Sequence, residues 1–463
     1  MKTLILLGLL LPVAAEAGLK FAEPFSHGAV LQREIPVPVW GTGAKPGADV
    51  SVCYGRYSLK AKANAKGEWR VDLPAMTATK SSGVLEALSG ASKTAVTNVV
   101  VGEVWLCSGQ SNMAQALVDP KMPRYRDAIG SMIAQTTYKP FVRHMLAPGD
   151  GGWHSLTPEY LSSGRRSAIA VYYALGLYSH LDIPVGVIEA AAGGSNIDNW
   201  QPEVGPSAGC NNKFMKKLYP YALRGALWYQ GETNAMLGEA DVYPEKMRRL
   251  LNGWRMMFEN KELSFYYVQL APFARGVMKN GFDYDAAFPK FLMAQSSFEK
   301  MDPRAAMTVV NDIGCVEDIH PNEKWLVARR LLLHALKRNY GFEGVEDSSP
   351  LALSATADGS RVKVVFSNAK SLYVYARGKA FSKSLAPFEI AGSDGVFKPA
   401  QIINFSSEKG FARGLIDSSE IVLSASGVKE PVAVRYAWQK PWTGCVYNEA
   451  DLPMGTFLIE VGK

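Results

Sequence analysis

The sequence predicts an α/β protein in which a parallel sheet covered by helices is flanked on both sides by all-β regions. Three observations lead there. Between about Gly102 and Tyr340, short apolar runs alternate with longer segments of helical periodicity, the pattern of a parallel sheet with helices on its faces. Before and after this stretch the apolar runs are short, alternate with a period of two and are punctuated by Gly, Pro and Ser, the texture of sheet without helix. The chain has 463 residues, 48% hydrophobic and 20% charged, which is ample for real cores and too long for one ordinary domain.

The first residues have the order of an export signal. Lys2 gives a positive start, Leu4 to Val13 is an apolar run, and Ala15-Glu16-Ala17 fits a small-x-small cleavage site. The run is about half the length that a spanning helix needs, and no later stretch is apolar for long enough. The expected organisation is a signal peptide at 1–17, an N-terminal β domain at 18–101, a catalytic α/β domain at 102–343 and a C-terminal β domain at 344–463. The expected localisation is periplasmic or extracellular.

In the N-terminal zone the expected strands include Val37 to Gly41, Val50 to Tyr54 and Trp69 to Leu73, separated by turns such as Lys45-Pro46-Gly47 and Ala65-Lys66-Gly67. In the central zone the strands are Val104 to Cys107, Pro184 to Ile188, Gly225 to Tyr229, Ser264 to Leu270 and Ala306 to Val310. Helices are expected over Ser167 to Leu181, Tyr243 to Glu259 and Pro289 to Lys300. A last one should run from Pro321 to Arg338, with Trp325, Ala328, Leu332 and Leu336 on one apolar face and Pro321 at the first helical position. The C-terminal zone returns to strands such as Arg361 to Phe366 and Val432 to Tyr436.

Net charge is +7 and spread without a basic run, so nucleic-acid binding is not indicated, although a mild excess favours anionic substrates. Five cysteines (Cys53, Cys107, Cys210, Cys315, Cys445) stand far apart with no metal-ligand spacing, and no metal or cofactor is expected.

The chemistry concentrates in loops after the central strands, where the active residues of such sheets gather. Gly109-Gln110-Ser111-Asn112-Met113 follows the strand Val104 to Cys107. A serine at a strand-to-helix turn exposes its Oγ and offers its own N–H to a developing oxyanion; an ordinary helix cap would also use serine. Asp318-Ile319-His320-Pro321 lies between the last strand and the last helix, where a histidine can deprotonate the serine with a carboxylate beside it. That acid is read as Asp318, with Glu317 and Asp312 as alternatives, and a dyad is also open. Ala192-Gly193-Gly194-Ser195 allows a backbone N–H to approach a substrate oxygen. The loop Gln230-Gly231-Glu232-Thr233-Asn234 offers amide donors in Gln230 and Asn234. Cys107 is a poor rival nucleophile, because it falls inside a strand.

The chain resembles the sialate O-acetylesterases, a carbohydrate-esterase branch of the SGNH hydrolases. The resemblance runs through Val30-Leu31-Gln32-Arg33, Val39-Trp40-Gly41, Val104 to Met113, Trp228 to Glu232, Asp318 to Pro321, Phe388 to Gly392 and Pro431 to Tyr436. It implies a flavodoxin-like, three-layer α/β/α catalytic domain, with Ser111 as nucleophile and His320 as base. The implied oxyanion donors are the N–H groups of Ser111 and Gly194 and the side chain of Gln230. Gln110, Asn112, Glu232 and Asn234 would be supporting residues. The implied substrate is an O-acetylated carbohydrate, a sialoglycan first and acetylated xylan as the alternative. Trp153 and Trp200 are open to two readings, stacking surfaces for sugar rings or core residues, since aromatic side chains commonly dominate cores. A non-catalytic carbohydrate-binding protein is the reading from a different class. It would not require serine, histidine and amide donors together at strand ends.

Overall fold

The computed structural model describes residues 18–118, 128–149, 152–202, 208–314, 317–375, 387–407, 413–438 and 445–462. The expected signal peptide and Cys315 lie outside the described residues.

The molecule is organised around one long strand, β1 (Ser92–Gly109). Its first half alternates exposed and half-buried residues, as an edge-facing antiparallel strand does; from Val99 onward every residue is buried. That second half is the centre of a sheet covered on both faces. The other strands of this sheet are β2 (Lys139–Leu146), β3 (Trp153–Leu156), β4 (Val185–Ala191), β5 (Gly225–Tyr229), β6 (Ser264–Val268) and β7 (Ala305–Thr308). Hydrogen bonding orders them β3-β2-β4-β1-β5-β6-β7. All neighbours are parallel except the edge strand β3. The chain fills one side of β1 with β2 and β4 and then crosses to β5 on the other. The end of β1 is therefore the point where strand order reverses, the place where open α/β sheets bind ligands.

Helices cover both faces. Successive residues of a strand point to opposite sides. Two short helices, α1 (Ser111–Ala114) and α3 (Glu232–Met236), begin directly after β1 and β5. Trp105 meets Tyr173 of α2 (Ala168–Leu181) and Tyr266 on one face. Trp228 meets Trp254 of α4 (Tyr243–Met257) on the other. Tyr267 packs against Phe298 of α5 (Tyr284–Phe298), while its neighbour Tyr266 packs against His334 of α6 (Lys324–Arg338).

The expected boundary at residue 101 falls inside β1. Strand Thr79–Ser89 pairs with it between Ser92 and Val101, Val30–Gln32 pairs with Val100–Gly102, and the apolar residues of the N-terminal strands and the α/β layers form one continuous core. The C-terminal strands have a core of their own, inside a closed barrel of Leu351–Asp358, Arg361–Ser367, Glu420–Ala425, Phe397–Ile402, Phe388–Gly392, Pro431–Tyr436 and Phe457–Gly462.

Two helix starts differ from expectation. α5 begins at Tyr284, because the Asp283 side chain accepts the N–H of Ala286 as a cap; Pro289 lies inside the helix. α6 begins at Lys324 and leaves Pro321 in the preceding loop, where its carbonyl accepts the Lys324 side chain. Among the described residues, no helix is long and apolar enough to cross a membrane.

Candidate active site

The serine turn is built by close backbone packing. Gly109 ends β1 with φ +141°, and a Cβ there would lie 2.1 Å from the Tyr229 carbonyl oxygen, so only glycine fits. The next N–H, from Gln110, donates to that same carbonyl at 2.9 Å, and the Gln110 carbonyl accepts Met113 and Ala114 to start α1. Ser111 is the first helical residue and is half-buried. No acceptor among the described residues takes its N–H, as is usual in a first helical turn.

The structure brings His320 to this serine: Nε2 is 2.8 Å from Ser111 Oγ. Asp318 Oδ1 accepts the His320 backbone N–H at 3.0 Å and lies 3.5 Å from the ring Nδ1. One carboxylate thus shapes the loop and faces the far side of the imidazole. Asp312 is committed elsewhere. Arg330 holds it with two bonds of 2.7 Å, and the Tyr447 hydroxyl donates to it at 3.3 Å. Glu317 is exposed.

Gly193 lies beside the serine, with Gly194 next in the chain. A Cβ on Gly193 would sit 3.6 Å from Ser111 Cβ, whereas one on Gly194, at φ +70°, would point into open space. The Gln230 side chain, implied by the resemblance as an oxyanion donor, has partners inside the protein. It is fully buried, and its Nε2 faces three acceptors: Gln110 Oε1 at 3.2 Å, the Ser195 carbonyl at 3.1 Å and Asn234 Oδ1 at 2.6 Å. An amide nitrogen has two hydrogens, and these three acceptors join the serine turn, the glycine loop and α3 around it. Asn234 serves the same loop, its Oδ1 accepting the Ile197 N–H at 3.1 Å. Gln110 Oε1 also faces the N–H groups of Gly231 and Thr233, both at 3.4 Å, so the serine turn leans on the start of α3.

The residue after the serine makes the remaining ties. Asn112 Nδ2 donates to Glu232 Oε1 and, at 2.9 Å, to the Ile319 carbonyl. Its Oδ1 accepts Lys324 Nζ at 2.7 Å, and the same ammonium donates to the Pro321 carbonyl at 2.6 Å. Glu232 and Lys324 are 3% and 2% exposed. Burial raises the Glu232 carboxyl to about 7, opposed by the Asn112 bond and the Lys324 charge. Burial likewise lowers the Lys324 ammonium to about 7, opposed first by the Glu232 charge.

Sequence reading missed Lys324. The signal was a lysine aligned at 324, 328, 331 and 335 with Ala328, Leu331 and Ala335, a cation on the apolar stripe of a helix. Trp153 and Trp200 are core residues and present no face to a sugar: Trp153 donates to the Pro24 carbonyl, and Trp200 donates to Ser195 Oγ and packs on Trp228. Cys107 is buried inside β1, and burial pushes its thiol well above the usual range. No group of three or more His, Cys, Asp or Glu among the described residues could hold a metal ion.

A serine and a histidine in contact at the end of the central strand, beside two glycines, is an arrangement for acyl transfer. Comparisons with known proteins agree. Residues 101–285 match the family model described as carbohydrate esterase, sialic acid-specific acetylesterase. The chain is 27% identical over 428 residues to the sialate O-acetylesterase of Mus musculus, covering 73% of this chain and 76% of that protein. It is 27% identical over 413 residues to the Homo sapiens sialate O-acetylesterase, covering 75% and 77%. The crystal structure of a novel carbohydrate acetylesterase from Xanthomonas citri matches with a TM-score of 0.81 at 29% identity, over 95% of this chain and 99% of that one. Across most of its length the chain is similar to sialate O-acetylesterases and to a carbohydrate acetylesterase, and it is a carboxylic ester hydrolase.

Proposed function

We propose that the protein is an exported serine esterase that removes O-acetyl groups from sialic acids, with Ser111 as nucleophile, His320 as base and Asp318 as the orienting acid. The observation that carries this reading is the 2.8 Å contact between Ser111 Oγ and His320 Nε2 beside Gly193 and Gly194. Ser111 Oγ attacks the acetyl carbonyl carbon while His320 takes the hydroxyl proton. The oxyanion is received by the N–H groups of Ser111 and Gly194. The bond to the sugar oxygen then breaks, and that oxygen leaves with the proton from His320. Water, deprotonated by His320, attacks the acetyl-enzyme and releases acetate, which returns the serine. In this reading Gln230 and Asn234 hold the Gly194 loop in place, and Gln110, Asn112 and Glu232 hold the serine turn.

Sialic acid is favoured as the acetyl carrier by the family model that residues 101–285 match and by the net charge of +7, which suits an anionic sugar. Export is supported by the Lys2, Leu4–Val13 and Ala15-Glu16-Ala17 pattern. Three functional regions, 18–101, 102–343 and 344–463, are proposed on the change of texture along the chain, with the site wholly in the middle one. Acetate release from 9-O-acetylated sialic acid and from acetylated xylan, by wild type and Ser111→Ala, tests the proposal. Activity on the sialic acid that disappears in the variant supports it. Activity on xylan alone overturns the substrate, and an active Ser111→Ala overturns the mechanism.

A further inference from the structure

Ser111 and His320 come from loops 209 residues apart in sequence, and their contact depends on how those loops are joined. The joint is specific. Asn112, next to the serine, is tied to both neighbours of the histidine: directly to the Ile319 carbonyl, and through Lys324 to the Pro321 carbonyl. Two bonds that grip the backbone on either side of His320, both referred to the residue after Ser111, fix the position of one loop against the other. We propose that Lys324 is a positioning residue of this site, whose ammonium holds the Asn112 amide and the Pro321 carbonyl together and thereby sets the Ser111–His320 geometry. The inference rests on the acyl-transfer reading given above.

Three features support it. An ammonium has donors only, and here two of them meet neutral acceptors on the two loops, in charge-assisted bonds of 2.7 and 2.6 Å. Among the hydrogen bonds given for its ammonium, both go to these two loops. Tyr229 presents its ring face 5.8 Å away, and the charges that act on it are Glu232 on α3 and Glu323 and Asp318 on the histidine loop. Packing alone does not ask for a lysine here. Position 324 lies on the buried stripe of α6, where an unbranched apolar side chain would fill the same space, and apolar replacement of a buried ion pair is often neutral or stabilising. The charge makes sense as a clamp.

The test compares Lys324→Met, Glu232→Gln, the double variant Glu232→Gln/Lys324→Met and Ser111→Ala with wild type, using the full chain and p-nitrophenyl acetate. The double variant leaves neither buried charge alone, while the amide that replaces the Glu232 carboxylate can still accept the Asn112 bond. Circular dichroism and thermal unfolding report the fold. The expected result is a fall in kcat on the order of 10²-fold in folded Lys324 variants, with KM changed by no more than about twofold, since the clamp positions the loops that carry the reacting groups and does not touch the bound ester. A merely structural role would lower the folded fraction and leave kcat per folded molecule intact. Wild-type kcat in a folded Lys324 variant overturns the proposal. So does a double variant that fails to fold while Glu232→Gln alone folds, because Lys324 would then be needed for the fold itself. Full activity in Ser111→Ala would instead bring down the underlying mechanism, which keeps the two failures distinct.

Discussion

The Ser111 hydroxyl and the His320 imidazole are in hydrogen-bond contact at 2.8 Å, although one follows the central strand and the other precedes the last helix. If this pair carries the reaction, Ser111→Ala and His320→Ala should each reduce kcat by on the order of 10⁴–10⁶. The double variant should be scarcely worse than either single one, because the two act as a unit. Acetate release by the three proteins checks this, and additive losses would contradict it.

The carboxylates separate by role. Asp318→Asn should lower kcat by on the order of 10²–10⁴, since the acid orients the ring and stabilises its charged form. Asp312→Asn should leave kcat near wild type and lower stability by about 3–5 kcal/mol, because it strands the buried Arg330 guanidinium. Kinetics and denaturant unfolding on the two variants would show the opposite pattern if Asp312 were the catalytic acid.

Gly109 and Gly194 should respond differently to alanine. At Gly109 the new Cβ would meet the Tyr229 carbonyl oxygen at 2.1 Å, so the serine turn must move, and both Tm and activity should fall. At Gly194 there is open space around the Cβ, and the expected loss is only the left-handed strain of about 1–2 kcal/mol. Thermal unfolding of the two variants distinguishes them.

Gln230→Met would keep the approximate volume and remove the bonds to Gln110, Ser195 and Asn234. Each buried partner left unsatisfied should cost about 1–3 kcal/mol. The released glycine loop should lower kcat by on the order of 10². A variant with reduced kcat and unchanged Tm would instead favour Gln230 as a direct donor to the oxyanion.

The buried pair gives a pH signature in stability. Glu232 holds its proton more tightly folded, at about 7, than at its ordinary 4.5, so its contribution to stability falls as pH rises from 4.5 to 7. Lys324 holds its proton less tightly folded, at about 7, than at its ordinary 10.5, so stability is regained as pH rises from 7 to 10.5. The two penalties coincide near pH 7. The Tm of Glu232→Gln/Lys324→Met minus that of wild type should therefore be highest near pH 7 and decline on both sides. A flat difference would mean that the pair does not titrate in this range.

Much of this architecture was legible before any coordinate. The strand Gly225–Tyr229 and the helix capped by Ser167 stand where apolar runs and a capping serine put them, because those signals are local. Lys139–Leu146 and the edge strand Trp153–Leu156 beside it escaped notice, since Arg143, His144 and His154 interrupt their apolar pattern. Arg143 and His144 are buried against polar partners, among them the Asn98 carbonyl and Glu189, which only the folded chain supplies.

By itself the sequence determined the reaction class and singled out a serine and a histidine that the fold brings into contact, because a serine after one strand and a histidine after another are local signals. Tertiary structure alone decided how the remaining residues divide their work. Gln230 has the chemistry of an oxyanion donor but faces three acceptors in the interior, and Trp153 and Trp200 have the faces of sugar platforms but lie in the core. Lys324 stands far in sequence from Asn112 and Glu232, yet it meets the first directly and feels the charge of the second. A side chain's donors are set by its identity. What those donors meet depends on which distant segments pack beside it, and that is a property of the folded chain.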